Sequence, residues 1–347
     1  MSTAATSTSG RFKWVDRVKA ICIILVFYSH CSIFYGVSIP LTRNVIEPFY
    51  VNAFFFVSGY LLLWKQLSSP KIDETRGVFL WPIGGGNSLI NNILYKIVMP
   101  SVLFSAIEFF PKKFLKGGGF GVGSLLHETI GGGTYWFTSA LVVAELVMFL
   151  LLLTRYRSVW FYLVASIVLS VVGVFAIKAG SSFIPNIWFW KQGLIALLYV
   201  AAGGVYWKYE AAIDKLMKRW WALLVAGAIY IYVVLFHYDS LALTTSMGTL
   251  NLAGGIIAIV GSVLLITVCK HLPSGRVLGI IGKNSLGFYF LSGALPMVCS
   301  IVAKRLPIAP NIAVLLLVWL VTIALVYGIV TLLNRFVPWV WDLRRRG

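Results

Sequence analysis

The side chain best suited to proton chemistry at neutral pH stands deep in an apolar run. His30 follows Lys19 by eleven residues, and those between them are almost all hydrophobic. Eleven helical steps turn about 20° beyond three full circles, so the two share a face about 17 Å apart along the axis. Asp16 falls near the same face, three residues before Lys19. Ionisable groups at membrane depth are rare, costly and functional by default, and imidazole is the one that titrates near neutrality. Glu145 is the second such group, ten residues into the apolar stretch 135–153. That places it about 15 Å deep, half of a ~30 Å hydrocarbon core. Read in opposite directions, the two helices bring His30 and Glu145 to similar depth. A carboxylate beside a buried imidazole orients a general base and stabilises its imidazolium. Two plainer readings stand beside this one. His30 can be a packing residue bonded to a neighbouring helix, and Glu145 can neutralise a lysine such as Lys191 or stay protonated.

Further polar residues lie in or beside apolar stretches. Lys96, in the stretch 89–110, is placed either to receive a phosphate or to snorkel to the interface. Asn52 and Ser58 sit within 46–64, where such side chains bond between helices. Tyr135 and Trp136 open the stretch 135–153, as an interfacial aromatic belt or as a binding platform. Glu108, His127 and Glu128 fall at or beyond the outer face, as solvated residues or as contacts for a polar acceptor. Cys22, Cys31, Cys269 and Cys299 form no CxxC pair and read as small apolar fillers, so no metal site is expected.

Elements that hold such groups in lipid must be long and apolar. The chain has 347 residues, of which 59% are hydrophobic and 12% charged, with a mean hydropathy of +0.89. Soluble domains carry about 25% charged residues, so a soluble enzyme, a disordered tail and a disulfide-stapled module are excluded. The net charge of +18 does not argue for nucleic acid, because the basic residues lie in short gaps between apolar runs. Ten stretches reach spanning length: 18–36, 46–64, 89–110, 135–153, 159–177, 187–206, 220–238, 250–268, 285–303 and 311–333. Their uniform apolarity lacks the alternation of barrel strands. The expected fold is all-α, a polytopic membrane helix bundle of about ten transmembrane helices. With both termini cytoplasmic, 20 of the 29 Lys and Arg face inward and 8 outward, with Lys96 inside a span; this is the positive-inside arrangement. Residues 1–17 read as a flexible cytoplasmic tail, 18–335 as a single transmembrane domain, and 336–347 as a basic cytoplasmic C-terminus. The gaps 65–88 and 111–134 carry the glycine runs 84–86, 117–119 and 131–133, as mobile loops over a site or as plain connections.

The run Trp14-Val15-Asp16-Arg17-Val18-Lys19-Ala20-Ile21, continuing to His30, resembles the opening of the acyltransferase-3 family of bacterial membrane O-acyltransferases. That family carries Asp-x-x-(Arg/Lys) followed by a histidine eleven residues after the basic residue. Pro48-Phe49 and Phe54-Phe55-Phe56-Val57-Ser58-Gly59-Tyr60 resemble its second-helix pattern. Tyr135-Trp136-Phe137 resembles its later Trp-Phe motif, and Ile281-Gly282-Lys283-Asn284-Ser285-Leu286 with Tyr289 resembles its late segment. Two positions depart from the family. Ile93 replaces the first base of an Arg-x-x-Arg pair that Lys96 completes ahead of Pro100, and Ser292 stands where many members have histidine.

The resemblance implies a stand-alone enzyme of the bacterial inner membrane, without an SGNH domain, that moves an acyl group from cytoplasmic acyl-CoA. The acceptor would be a hydroxyl of an extracytoplasmic or lipid-linked polysaccharide unit. His30 would act as general base with Glu145 beside it. Lys19, Lys96 and Arg17 would receive the CoA phosphates, and Asn52, Ser58, Tyr135 and Trp136 would line the substrate path. Acetyl-CoA would be a cosubstrate, with no permanently bound cofactor; the bilayer and a glycan would be the partners. Two other classes remain open from the residues: a transporter or flippase using His30 and Glu145 as a proton relay, and a membrane scaffold without activity.

Overall fold

A computed structural model describes residues 12–67, 89–116, 121–154, 156–180, 185–238, 252–273 and 275–342. The helices, in chain order, are α1 (Lys13–Tyr35), α2 (Thr42–Ile46), α3 (Asn52–Leu67), α4 (Leu89–Ile93), α5 (Met99–Lys116), α6 (Val122–Thr129), α7 (Trp136–Leu152) and α8 (Val159–Lys178). They continue as α9 (Trp190–Met217), α10 (Trp220–Phe236), α11 (Leu252–His271), α12 (Arg276–Lys283), α13 (Ser285–Leu291), α14 (Ala294–Lys304) and α15 (Ile312–Phe336). Among the described residues there is no strand. The protein is an all-α polytopic bundle. The described parts of the ten apolar stretches are largely helical. Among the described residues, five segments are long and apolar enough to cross a bilayer unaided: Lys13–Tyr35, Leu89–Pro111, Val159–Lys178, Ala253–His271 and Ile312–Phe336. Two bent pairs meet that standard when each is taken as one span, Ile187–Met217 with α10 at 106° and α13 with α14 at 47°, which makes up to seven.

The chain forms two compact units. One comprises Met1–Val57 with Tyr206–Thr331, the other Ser58–Val205 with Leu332–Gly347. Lys13–Arg17 belong to α1; residues 1–11 lie outside the described residues. So do the glycine runs 84–86 and 117–119.

In the first unit α1 is the central mast. Its face made by Val15, Val18, Cys22, Ile23, Val26 and Phe27 is buried. Arg17 holds α11 by donating to the Cys269 carbonyl at 2.7 Å. Phe27 packs edge-on to Phe288 of α13, and Trp319 of α15 donates from its indole nitrogen to the Ile24 carbonyl at 3.1 Å. The start of α1 meets the ends of α9 and α11, where Lys270 bonds Glu210 at 2.6 Å and Asp214 at 2.8 Å and stands over the Trp14 and Tyr206 rings. The far end is tied by loop contacts. Tyr28 shares a hydrogen bond with Thr42, Tyr230 donates to the Val45 carbonyl, and Tyr238 donates to Glu47. Glu47 also pairs with Arg43 at 3.0 Å, which strengthens the hold of that guanidinium on its proton.

In the second unit α3 and α9 approach backbone to backbone. A Cβ on Gly59 would stand 1.8 Å from the Val200 carbonyl oxygen, so only glycine permits the contact. Between α4 and α5 the helix widens over Leu94–Val98 into a π turn, with the Met99 N–H reaching the Leu94 carbonyl. Pro100 explains the position. It lacks the N–H that would serve the Lys96 carbonyl, and its ring would strike that oxygen in a tight helix. Lys191 is buried in α9, and its ammonium donates to the Gly180 carbonyl at 2.9 Å. It thereby caps the C-terminal end of α8, whose last carbonyls lack helical partners. The lysine weighed as a partner for Glu145 thus makes this cap.

Candidate active site

His30 lies in the last third of α1, half-buried, with its ring tilted against Phe34. Its Nδ1 stands 2.5 Å from the backbone carbonyl of Ser292. A carbonyl oxygen can only accept, so Nδ1 carries the proton. In neutral imidazole that leaves Nε2 with its lone pair, ready to take a proton from a hydroxyl. The chemistry sits in a backbone contact that the sequence reading did not foresee: a peptide carbonyl, rather than a carboxylate, orients the ring. Glu145 is half-buried in α7 and belongs to the other unit. It is not needed to hold Nδ1.

The acceptor exists because the helix breaks. α13 ends at Leu291, Ser292 and Gly293 bridge the bend, and α14 starts at Ala294. The Ser292 hydroxyl turns away and donates to the Tyr289 carbonyl at 2.7 Å. Only the main chain of residue 292 therefore serves His30, which makes its side chain expendable for orientation. Ser292→Ala is expected to retain activity within about twofold and to lose about 1 kcal/mol of stability with its one hydroxyl bond. Acyl-transfer assays and unfolding in detergent measure the two.

The basic residues of α1 stand one helical span from His30. Lys19 is half-buried on the shared face. Arg17, also half-buried, has one guanidinium nitrogen on the Cys269 carbonyl, so part of its capacity is structural. The backbone of Asp16 lies against α12, where a Cβ on Gly282 would come within 1.8 Å of the Asp16 carbonyl oxygen. Two of the segments that carried the family resemblance, around Asp16 and around Gly282, are therefore in direct contact.

The remaining candidates divide between the two units. Asn52 is buried, yet its amide donates to the Pro48 carbonyl at 3.0 Å; it closes its own helix start rather than bridging two helices. Ser58 is half-buried in α3. In the second unit Lys96 is exposed on the π turn. Tyr135 is only 5% exposed and caps α7, its carbonyl accepting from the Ser139 N–H and the Thr138 hydroxyl. It is a core residue, not part of an interfacial belt. Trp136 beside it is half-buried and edge-on to Phe137. Glu128 pairs with Lys113 at 3.1 Å. Among the described residues no three His, Cys, Asp or Glu side chains are grouped to hold a metal.

A profile of the acyltransferase-3 family, described as an acyltransferase domain, matches residues 12–333. The chain belongs to the acyltransferase-3 family. Comparison with curated proteins and with solved structures gives no match. Membership covers α1 to nearly the end of α15, and it favours membrane acyl transfer among the classes that the residues had left open. This acyltransferase is a multi-pass membrane protein.

Proposed function

We propose that the protein transfers an acetyl or similar acyl group from cytoplasmic acyl-CoA to a hydroxyl of an extracytoplasmic or lipid-linked polysaccharide unit, in a bacterial inner membrane. The observation that carries this reading is the bond from His30 Nδ1 to the Ser292 carbonyl, since it leaves Nε2 as a base. In the transfer, Nε2 takes the proton of the acceptor hydroxyl as its oxygen bonds to the thioester carbon. The C–S bond then breaks, and the CoA thiolate recovers the proton from the imidazolium. The products are the O-acyl ester and free CoA, with no other reactant consumed.

Support for a cytoplasmic donor comes from the charge at the start of α1. That end meets the C-terminal ends of α9 and α11, all of which the loop-charge count assigns to the inner side. The phosphates of CoA pair with cations there, and Lys19 is the first choice because it shares a face with His30. Lys96 is the second candidate, on the widened turn of the other unit. Lys19→Met is expected to raise the donor KM about tenfold with kcat little changed, the effect of losing one charge-assisted hydrogen bond. Steady-state kinetics with varied acetyl-CoA measure it.

The test of the function itself is mass spectrometry of the surface glycan from cells with the chain deleted, then restored. Loss of one acyl mass per repeat on deletion, and its return on restoration, is the expected result. An unchanged glycan, with no binding of labelled acetyl-CoA to the purified protein, would overturn the reading. Proton-coupled uptake into proteoliposomes would point instead to transport.

A further inference from the structure

The orientation of His30 has a cause that lies beyond the acyl-transfer chemistry. Within an unbroken helix, the carbonyl of residue 292 would accept from the N–H of residue 296. Residue 296 is proline, which has no N–H, and a proline ring presses the carbonyl four residues before it out of the helix wall. The helix opens at that place: Ser292 and Gly293 fall between α13 and α14, and the axis bends by 47°. Pro296 and Ser292 are both buried, the latter 2% exposed, so bulk water is not at hand to satisfy the oxygen. An acceptor left in that state must find a donor within the protein. His30 Nδ1 supplies it.

We propose that Pro296 is a positioning residue: by denying the Ser292 carbonyl its helical donor, it fixes His30 as the Nδ1–H tautomer and turns Nε2 toward the reacting hydroxyl. This rests on the reading of His30 as the base, and it adds where the base gets its direction. The same device explains why a carboxylate is not required at Nδ1. It also explains why serine suffices at position 292, since a main-chain oxygen does the holding.

Nitrogen NMR of the full chain in lipid nanodiscs, with 15N-labelled histidine, reads the tautomer directly. The four histidines are separated by comparison with His30→Asn, which removes one ring from the spectrum. In the wild type, His30 is expected to show a protonated Nδ1 and an unprotonated Nε2. Pro296→Ala restores an N–H that competes for the carbonyl, so both tautomers should appear. Turnover should then fall about fivefold, the worth of one neutral hydrogen bond, with the donor KM unchanged. A wild-type ring protonated at Nε2 would overturn the proposal without requiring any variant to fold. So would a Pro296→Ala protein with the wild-type tautomer or the wild-type rate. The rate of His30→Asn, taken in parallel, reports on the base itself: if that variant is inactive while Pro296→Ala is indistinguishable from wild type, only the positioning role falls.

Discussion

Replacing His30 with asparagine should lower turnover by about 10²–10⁴-fold, the usual contribution of a general base, while the protein keeps its fold. Asparagine is the informative substitute because its amide nitrogen occupies nearly the place of imidazole Nδ1. It can still donate to the Ser292 carbonyl, which His30 reaches at 2.5 Å, so no buried oxygen is stranded. Alanine would remove the base and the donor together, adding about 1–3 kcal/mol for an unsatisfied buried acceptor. A matched pair of variants therefore separates chemistry from stability. Both should be inactive, and only the alanine variant should melt early. Labelled acetyl transfer by purified protein, with donor binding measured beside it, decides the matter. An asparagine variant that turns over at the wild-type rate would remove His30 from the mechanism.

Glu145→Gln should leave His30 Nδ1 held as in the wild type. The bond that fixes the ring is made inside the first unit by a peptide group, and Glu145 lies in α7 of the other unit. The pairing argued from depth alone placed two groups at one level of the bilayer. Depth fixes a level and not an azimuth, so it could not reveal the main-chain acceptor at Nδ1.

That contrast marks what the sequence can reveal. The helical character of the apolar stretches was legible because lipid demands long apolar runs, and five to seven spans among the described residues meet that demand. The common face of Lys19 and His30 was legible because helical periodicity is strict. The partner of His30 was not, since any residue can offer a main-chain carbonyl and its type leaves no mark in the sequence. The one available signal was Pro296, four residues beyond Ser292. Pro100, four beyond Lys96, marks the π turn in the same way. Asn52 misled for a related reason. A polar side chain within an apolar stretch suggests a bridge between helices, but Pro48 sits four residues earlier and its carbonyl took the bond locally. The burial of Tyr135 was not legible either, because an aromatic residue at a helix start fits a belt, a platform or a core equally well.

The contact between α1 and α12 yields the second large effect. A methyl group added at Gly282 would lie 1.8 Å from the Asp16 carbonyl oxygen and 2.4 Å from the carbonyl carbon. These are backbone atoms of a buried helix, so no side chain can swing aside to make room. Gly282→Ala must push α12 off α1, and such overpacking costs about 1–3 kcal/mol. The displacement carries into function because α12 passes through Asn284 straight into α13, whose far end presents the Ser292 carbonyl to His30. The variant should therefore unfold at a lower temperature and turn over more slowly than wild type. Gly279→Ala provides the opposite sign on the same helix. Nothing lies within 4 Å of a Cβ there, and alanine favours a helix over glycine by about 0.5–1 kcal/mol. It should melt at or above the wild-type temperature with normal activity. Thermal unfolding of the two variants in one detergent isolates the close approach from helix propensity. Equal midpoints for Gly282→Ala and Gly279→Ala would mean that Asp16 and Gly282 do not press backbone against backbone, and that the two motifs are joined by something looser.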